Sequence, residues 1–338
     1  MRIGPASEAP AIASAGRDRH VSELGDQALV IAGQPVTLET APCCYCGSHR
    51  ADQVFTGIDR LHGLPGRFAV VRCDRCQLMR TDPRPSRSSI SLYYPANYAP
   101  YLQTTVAPIS SSRLLGRRLF DPLDVVTPSV RPGRLLELGS ASGSYLASMK
   151  AMGWDVTGVE PDRASAARAT AAIGEPVLCA GVEDVEFDPQ SYDLICAWMT
   201  FEHLHDPVET FRRCRSWLKS GGWLAFSVPD CGSWQFNAFR SQWFALQLPT
   251  HLYHFTAQTL SVILDGCGYV NVQLRWQRTL SDVALSLAYA AESTAPWMAP
   301  GARRLAESLP ARALSRASGV VAAPLRLTGR LTVWAQTP

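Results

Sequence analysis

From about residue 113 onward, short apolar runs alternate with amphipathic stretches. Arg134–Leu138, Asp155–Val159, Pro176–Cys179, Tyr192–Ala197 and Trp223–Val228 have the length and composition of strands. Segments near 143–152, 162–172 and 207–219 have helical spacing. Strands of this kind separated by helices imply a parallel sheet covered on its faces. The pattern then predicts a helix near 256–266, a strand near 269–276, a helical Ala- and Leu-rich stretch over 281–327, and a last strand at Arg330–Ala335. Residues 1–35 are rich in Ala, Gly, Ser and Pro without a period, which predicts a disordered tail. Residues 36–85 hold paired cysteines among short strand-like runs such as Phe68–Val71. Residues 81–112 collect five prolines with Tyr93, Tyr94, Tyr98 and Tyr101, a connector that ties its aromatics onto a neighbouring surface. The expected organisation is a tail over 1–35, a head with its connector over 36–112, and one α/β domain over 113–338 with a helical insertion at 281–327.

Composition narrows the class. Of 338 residues, 46% are hydrophobic and 18% charged, which excludes a disordered or fibrous chain. The formal net charge of +3 is too mild to argue for nucleic acid, and Lys150 and Lys219 are the only lysines. No stretch is long and apolar enough for a membrane span, and the opening residues, with Arg2, Glu8, Arg17, Asp18 and Arg19, lack the apolar core of a secretory leader. The expected location is the cytoplasm, where paired cysteines signal metal or redox chemistry more often than disulfides.

Five of the ten cysteines fall between 43 and 76. Cys43-Cys44-Tyr45-Cys46-Gly47 and Cys73-Asp74-Arg75-Cys76 are two C-x2-C knuckles. Zn2+ takes four soft ligands in a tetrahedron, and two knuckles supply them as Cys43, Cys46, Cys73 and Cys76. A filled ligand set makes the zinc site closed and structural. A redox pair is the competing reading, and His49 or His62 enters only if a cysteine is misassigned. Cys44 is ambiguous between ligand and neighbour. The remaining cysteines, mostly in apolar runs, read as buried free thiols.

Leu135-Leu136-Glu137-Leu138-Gly139-Ser140-Ala141-Ser142-Gly143-Ser144 is a buried strand entering a glycine-rich turn and a helix, the place where an open α/β sheet takes a nucleotide-like ligand. A dinucleotide fingerprint requires glycine at 141 and 144, where alanine and serine stand. Glu137 beside the turn repels a pyrophosphate and attracts a cation. Glu160, closing the next strand, is placed to accept from two ribose hydroxyls, and Asp162 suits the N-cap of the following helix. The ligand so described contains adenosine, is positively charged and lacks phosphate.

These stretches, with Val159-Glu160-Pro161-Asp162, Phe201-Glu202-His203-Leu204-His205-Asp206-Pro207 and Leu218-Lys219-Ser220-Gly221-Gly222, resemble the class I S-adenosylmethionine (SAM)-dependent methyltransferases of the small-molecule type. Ala141 departs from that family's middle glycine. The resemblance covers most of 113–338 and implies a Rossmann-like sheet of seven strands, the last antiparallel. The cysteine head resembles the zinc-binding head fused to some methyltransferases of sugar and secondary-metabolite pathways.

The resemblance implies SAM contacts at Glu137, Gly139, Ser140, Gly143, Glu160, Pro161 and Asp162, with Glu183 and Trp198 near the adenine. His203, His251 and His254 are the candidate bases for removing an acceptor proton. Each has a second reading, as a residue that packs and closes a loop. Trp234, Phe236, Phe239 and Phe244 are either an acceptor wall or ordinary core, and His205 faces solvent or caps a helix. Asp193 reads as structural. The implied activity is methyl transfer from SAM to oxygen or carbon of a small-molecule acceptor such as a sugar, glycoside or secondary-metabolite intermediate. An RNA methyltransferase with a zinc head that reads the nucleic acid is the alternative, but arginines scattered among acidic residues in the head are a weak footprint for it. The 281–327 segment is a candidate for a homodimer contact or a lid.

Overall fold

The computed structural model describes residues 29–95, 98 and 131–338; the expected tail over 1–28 and the part of the connector at 96–97 and 99–112 lie outside the described residues. Residues 30–35, expected to belong to the tail, form a hairpin. Val30–Ile31 and Gln34–Pro35 pair antiparallel across a turn at Ala32 and Gly33, both with positive φ. Ile31 is buried in the apolar cluster of the head, and that burial holds the hairpin.

The head is a small antiparallel sheet of Ala51–Gly57 (β1), Phe68–Cys73 (β2) and Met79–Thr81 (β3). Leu38–Glu39 pairs separately with Arg84–Pro85. Tyr93 is fully buried, with its ring 5.6 Å from Phe68 and its hydroxyl donating to Pro65 O at 2.8 Å.

The main sheet has seven strands. In chain order they are Arg134–Leu138 (β4), Asp155–Val159 (β5), Val177–Leu178 (β6), Tyr192–Trp198 (β7), Leu218–Pro229 (β8) and, past a two-residue strand Tyr253–His254 (β9), Val270–Trp276 (β10) and Arg330–Gln336 (β11). Their spatial order is β6-β5-β4-β7-β8-β11-β10. The first five are mutually parallel, and β11 runs antiparallel to both neighbours. This is the Rossmann-like arrangement with an antiparallel last strand that the sequence resemblance implies. The order reverses at β4, the position that opens a crevice at the strands' carboxyl ends.

Both faces of β7 are covered, so its run is apolar throughout. Leu194 and Cys196 point to one face, under Ser144–Ala151 (α1) and Arg163–Ile173 (α2). Ile195 and Ala197 point to the other, under Pro207–Trp217 (α3) and, past Trp234–Phe239 (α4), Ala257–Gly266 (α5). Helix α3 starts where Asp206 Oδ1 accepts the Glu209 N–H at 2.9 Å and Pro207 fills the first turn. It buries Val208, Phe211, Cys214 and Trp217 and leaves Arg212 and Arg215 outside. Phe211 stacks on Phe201 at 4.1 Å, and each fully buried phenylalanine of this kind contributes about 1.5–3 kcal/mol.

The head is not closed by itself. Strand β9, from the middle of the α/β region, pairs with β3 (Tyr253 opposite Arg80, His254 opposite Met79) and becomes the fourth strand of the head sheet. The 281–327 stretch forms Ser281–Thr294 (α6), Ala299–Glu307 (α7) and Leu309–Ala322 (α8) between β10 and β11. Asp193 is structural, accepting from the Arg134 N–H at 2.8 Å and from Lys219 Nζ at 2.8 and 2.9 Å.

Candidate active site

The glycine turn follows β4 and leads into α1. Gly139 and Gly143 have φ of 72° and 76°, the left-handed region where glycine is at no disadvantage. A Cβ at 139 would stand 2.7 Å from Thr200 Oγ1, and one at 143 would stand 2.8 Å from the Ala169 Cβ. Ala141 also has positive φ, 45°, so this alanine is held in the conformation a glycine would take freely. What holds it is Glu160: its carboxylate accepts the Ala141 N–H at 2.8 Å and the Asp162 N–H at 2.9 Å.

Glu137 lies under the same turn, 3% exposed, accepts from the Leu146 N–H, and has one carboxylate oxygen without a partner. Ser140 Oγ is likewise buried and unpartnered. Burial, and secondarily the charge of Glu160, lifts the Glu137 carboxyl well above its ordinary value; burial also raises Glu160. Two desolvated carboxylates beside one turn form a site for a cation carrying hydroxyl donors. The sulfonium, amino group and ribose of SAM fit that donor set, and a phosphate does not.

A second group assembles where β7 ends. Glu202, in the short helical turn Phe201–His203, is completely buried, and its carboxylate oxygens have no hydrogen-bond partner among the described residues beyond its own backbone N–H. Burial pushes its carboxyl up to about 8, partly offset by its own backbone N–H and then by the guanidinium of Arg330, which Asp282 holds at 2.8 and 2.9 Å. His203 and His251 adjoin it, their rings 4.6 Å apart and edge to face. His203 Nδ1 lies 3.0 Å from Thr250 O and 2.9 Å from the Tyr94 hydroxyl. A carbonyl only accepts, so Nδ1 carries the proton and Nε2 keeps its lone pair. His251 likewise donates one ring N–H to the Ala245 carbonyl. Burial lowers His203 to about 4 and, with help from His203, His254 and Arg330, drives His251 well below its ordinary value, so both rings are neutral at physiological pH.

One donor atom from each of Glu202, His203 and His251 lies within 4.8 Å of the others. Such a set holds a divalent cation or takes up a proton, and the positive charge of Arg330 opposes both, the divalent cation more strongly. Tyr98 links the two groups: burial first, then the charges of Glu202 and Glu160, raises its hydroxyl to about 12. Its ring is 5.2 Å from that of Tyr94.

Other expected site residues are placed differently. Glu183 does not offer its carboxylate to an adenine: it accepts the Asp206 and His205 N–H groups at 2.7 and 3.2 Å and binds Arg87 at 2.9 Å, fixing the start of α3. Asp162 uses Oδ1 to cap α2, accepting the Ser165 N–H at 2.7 Å, while Pro161 is exposed beside it. His254 is fully buried, and its Nε2 is bonded to Thr81 Oγ1 at 3.0 Å, which pins β9 to β3. His205 neither faces solvent nor caps a helix; it is buried and bonds Pro85 O at 3.1 Å. Trp198 ends β7 with its ring 5.2 Å from Tyr145 and its N–H unpartnered. Phe236 is core, packed on Trp243 and Phe55, and Phe244 packs on Tyr289 of α6. Glu202, Arg330, Tyr94 and Tyr98 were not among the expected site residues; the signal for Glu202 was a carboxylate set directly against the apolar Phe201 and the candidate His203.

The two cysteine knuckles converge. Cys43 and Cys76 sulfurs are 3.4 Å apart, as are those of Cys46 and Cys73, and all four lie within 4.8 Å. Backbone N–H groups of Tyr45 and Cys46 point at the Cys43 sulfur, and those of Arg75 and Cys76 at Cys73. Burial disfavours the Cys73 thiolate, yet those N–H donors outweigh it and bring the thiol down to about 7. Four converging thiols with amides directed at the sulfurs fit a tetrahedral zinc. Cys44 stands apart and bonds the Tyr253 hydroxyl, on the side facing the α/β region.

A family model described as a methyltransferase domain matches residues 112–274, the span that contains Glu137, Glu160, Glu202, His203 and His251. Over that span, just under half of its length, the chain is similar to methyltransferase domains. Its similar curated proteins include a ubiquinone biosynthesis O-methyltransferase of Chromobacterium violaceum, 29% identical over 125 residues, which are 32% of this chain and 54% of that protein. Another, from Paraburkholderia phymatum, is 27% identical over 130 residues, 36% of this chain and 56% of the relative. The chain therefore spans about half the length of the curated relatives it matches. Among solved structures, a SAM-dependent methyltransferase of Mesorhizobium loti aligns at 19% identity and TM-score 0.42, covering 66% of this chain and 99% of that one. Among the described residues, no helix is long and apolar enough to cross a membrane.

Proposed function

We propose that the chain is a cytoplasmic enzyme that moves the methyl group of SAM to a small-molecule acceptor of the sugar, glycoside or secondary-metabolite type, and that its head carries one structural zinc. SAM supplies a methyl group on a sulfonium, and the rest is alignment, exclusion of water and removal of a proton. Glu160 and the Gly139–Gly143 turn orient the adenosine end, and Glu137 faces the positive charge. Ionised Glu202, with neutral His203 and His251 at its side, takes the acceptor's proton. The observation that carries this reading is Glu202, a fully buried carboxylate with no partner beyond its own backbone N–H and with the His203 and His251 rings converging on it. The relatives' description as O-methyltransferases supports oxygen as the receiving atom.

Calorimetry of SAM against the intact chain tests the first half: binding is expected, and its absence removes the reading. Transfer of a labelled methyl group to a panel of sugars, glycosides and phenols tests the second, with an oxygen-methylated product expected. Metal analysis should give about one zinc per chain, falling in Cys73→Ser; a chain that purifies without zinc removes the metal assignment.

A further inference from the structure

Helix α8 is amphipathic in the inverted sense. Its inward positions are small or polar: Ser315 Oγ accepts the Leu280 N–H at 3.0 Å, and Gly319 is buried so tightly that a Cβ would stand 2.4 Å from the Arg278 backbone. Its outward stripe, Pro310, Ala313, Leu314, Ala317 and Val321, is apolar at the three- and four-residue spacing of one helix face. A helix in contact only with water would place these the other way round. The stripe continues onto neighbouring turns: Trp297, Leu305, Leu309, Leu314, Val321 and Leu325 are 64–82% exposed, whereas no large apolar residue described outside 281–327 exceeds 48%.

The charge on this face has one sign. Arg304, Arg312 and Arg316 are exposed and pair with no carboxylate among the described residues, and Glu307 is the one acidic residue between 295 and 327. Apolar side chains with a tryptophan, flanked by free arginines, match the boundary of an anionic bilayer, where the stripe enters the acyl edge and the guanidinium groups meet lipid phosphates. A second copy of this chain is a poor fit, because a two-fold contact sets the same arginines against each other. Helix α8, 14 residues long, is too short to span and would lie in the membrane plane.

We propose that the α7–α8 face docks the protein onto an anionic membrane surface. This inference is independent of the methyl-transfer reading. It is tested by flotation of the full chain with vesicles of phosphatidylcholine, with or without phosphatidylglycerol. Binding is expected on the anionic vesicles at low salt, about tenfold or more weaker on neutral ones, and lost progressively as salt rises. Leu314→Glu with Val321→Glu, and separately Arg312→Glu with Arg316→Glu, should each lower binding at least about tenfold while SAM affinity and the circular dichroism spectrum stay unchanged. A wild-type chain that ignores anionic vesicles overturns the proposal, as do variants that bind equally well. A concentration-dependent dimer that Leu314→Glu dissociates, with no vesicle binding, overturns it in favour of a second copy.

Discussion

Glu160 and Glu202 are buried carboxylates whose charges both act on Tyr98, and their surroundings differ. Glu160 receives two backbone N–H groups, from Ala141 and Asp162, within its own stretch of chain. Glu202 meets only its own backbone N–H, and its other neighbours are the His203 and His251 rings and the Arg330 guanidinium. A carboxylate fixed by amides is stabilised as an anion and serves as an acceptor of fixed direction. A carboxylate left nearly bare in an apolar setting, with its carboxyl raised to about 8, is poised to exchange a proton near neutral pH. Two residues of one type therefore divide binding from chemistry through their surroundings alone.

The largest effect that can break this division is expected from Glu202→Gln. The amide keeps the shape and cannot take a proton, so methyl transfer should fall about 10²–10⁴-fold with SAM affinity little changed. The sign of the pH dependence follows from the active form being the ionised one. The wild-type kcat/KM should rise as pH approaches about 8 and level off above it, and the variant should lose that inflection. His203, already neutral above about pH 4, contributes no step in that range. An inflection retained in Glu202→Gln would move the base elsewhere. Glu160→Ala should do the reverse. It removes the acceptor expected to hold two ribose hydroxyls, each charge-assisted bond worth about 1.5–3 kcal/mol, so SAM affinity should drop about 100-fold or more while turnover at saturating SAM is largely kept. Equal SAM affinity in wild type and variant would end the binding role.

The binding half was legible in the sequence and the chemical half only in part, for a physical reason. Strand, glycine turn, strand and Glu160 are contiguous, and each announces itself by a local rule: an apolar run, a positive φ, a carboxylate at a strand end. Glu202 was visible only as a neighbour of His203. What surrounds its carboxylate includes His251, Arg330 and Tyr98, none of which is near in sequence. The same limit explains Glu183, whose position pointed to adenine while its geometry is committed to two amides at the start of α3. It also explains β9, since a two-residue strand has no pattern to detect, and yet it joins the head to the α/β region. Helical spacing over 281–327 was sufficient to predict helices and could not tell that α8 turns its apolar side outward.

A smaller effect separates His254, which holds structure, from the pair assigned to chemistry. Burial lowers His254 to about 3, against an ordinary value near 6.5, so the unfolded chain binds the extra proton first. The stability this neutral ring contributes is present above about pH 6.5 and is lost as pH falls toward 3. The thermal midpoint should therefore drop on acidification, and His254→Gln should flatten that slope by an amount on the order of 2 kcal/mol at pH 4. An unchanged slope would show that His254 is not a source of the acid sensitivity.

The smallest effect tests the tyrosine pair. The Tyr94 hydroxyl meets His203 Nδ1 at 2.9 Å, but Thr250 O already fixes that proton at 3.0 Å. The hydroxyl therefore restrains the ring without deciding its tautomer. Tyr94→Phe removes one neutral hydrogen bond of about 0.5–1.5 kcal/mol, which predicts a loss of about three- to tenfold in kcat/KM and no change in SAM affinity. Tyr98, whose hydroxyl senses Glu202 and Glu160 together, should respond differently. Tyr98→Phe should shift the pH inflection assigned to Glu202, because the group that faces its carboxylate has changed, and Tyr94→Phe should leave that inflection in place. If both variants shift it equally, the two tyrosines act as one aromatic unit and His203 gains nothing particular from its hydroxyl neighbour.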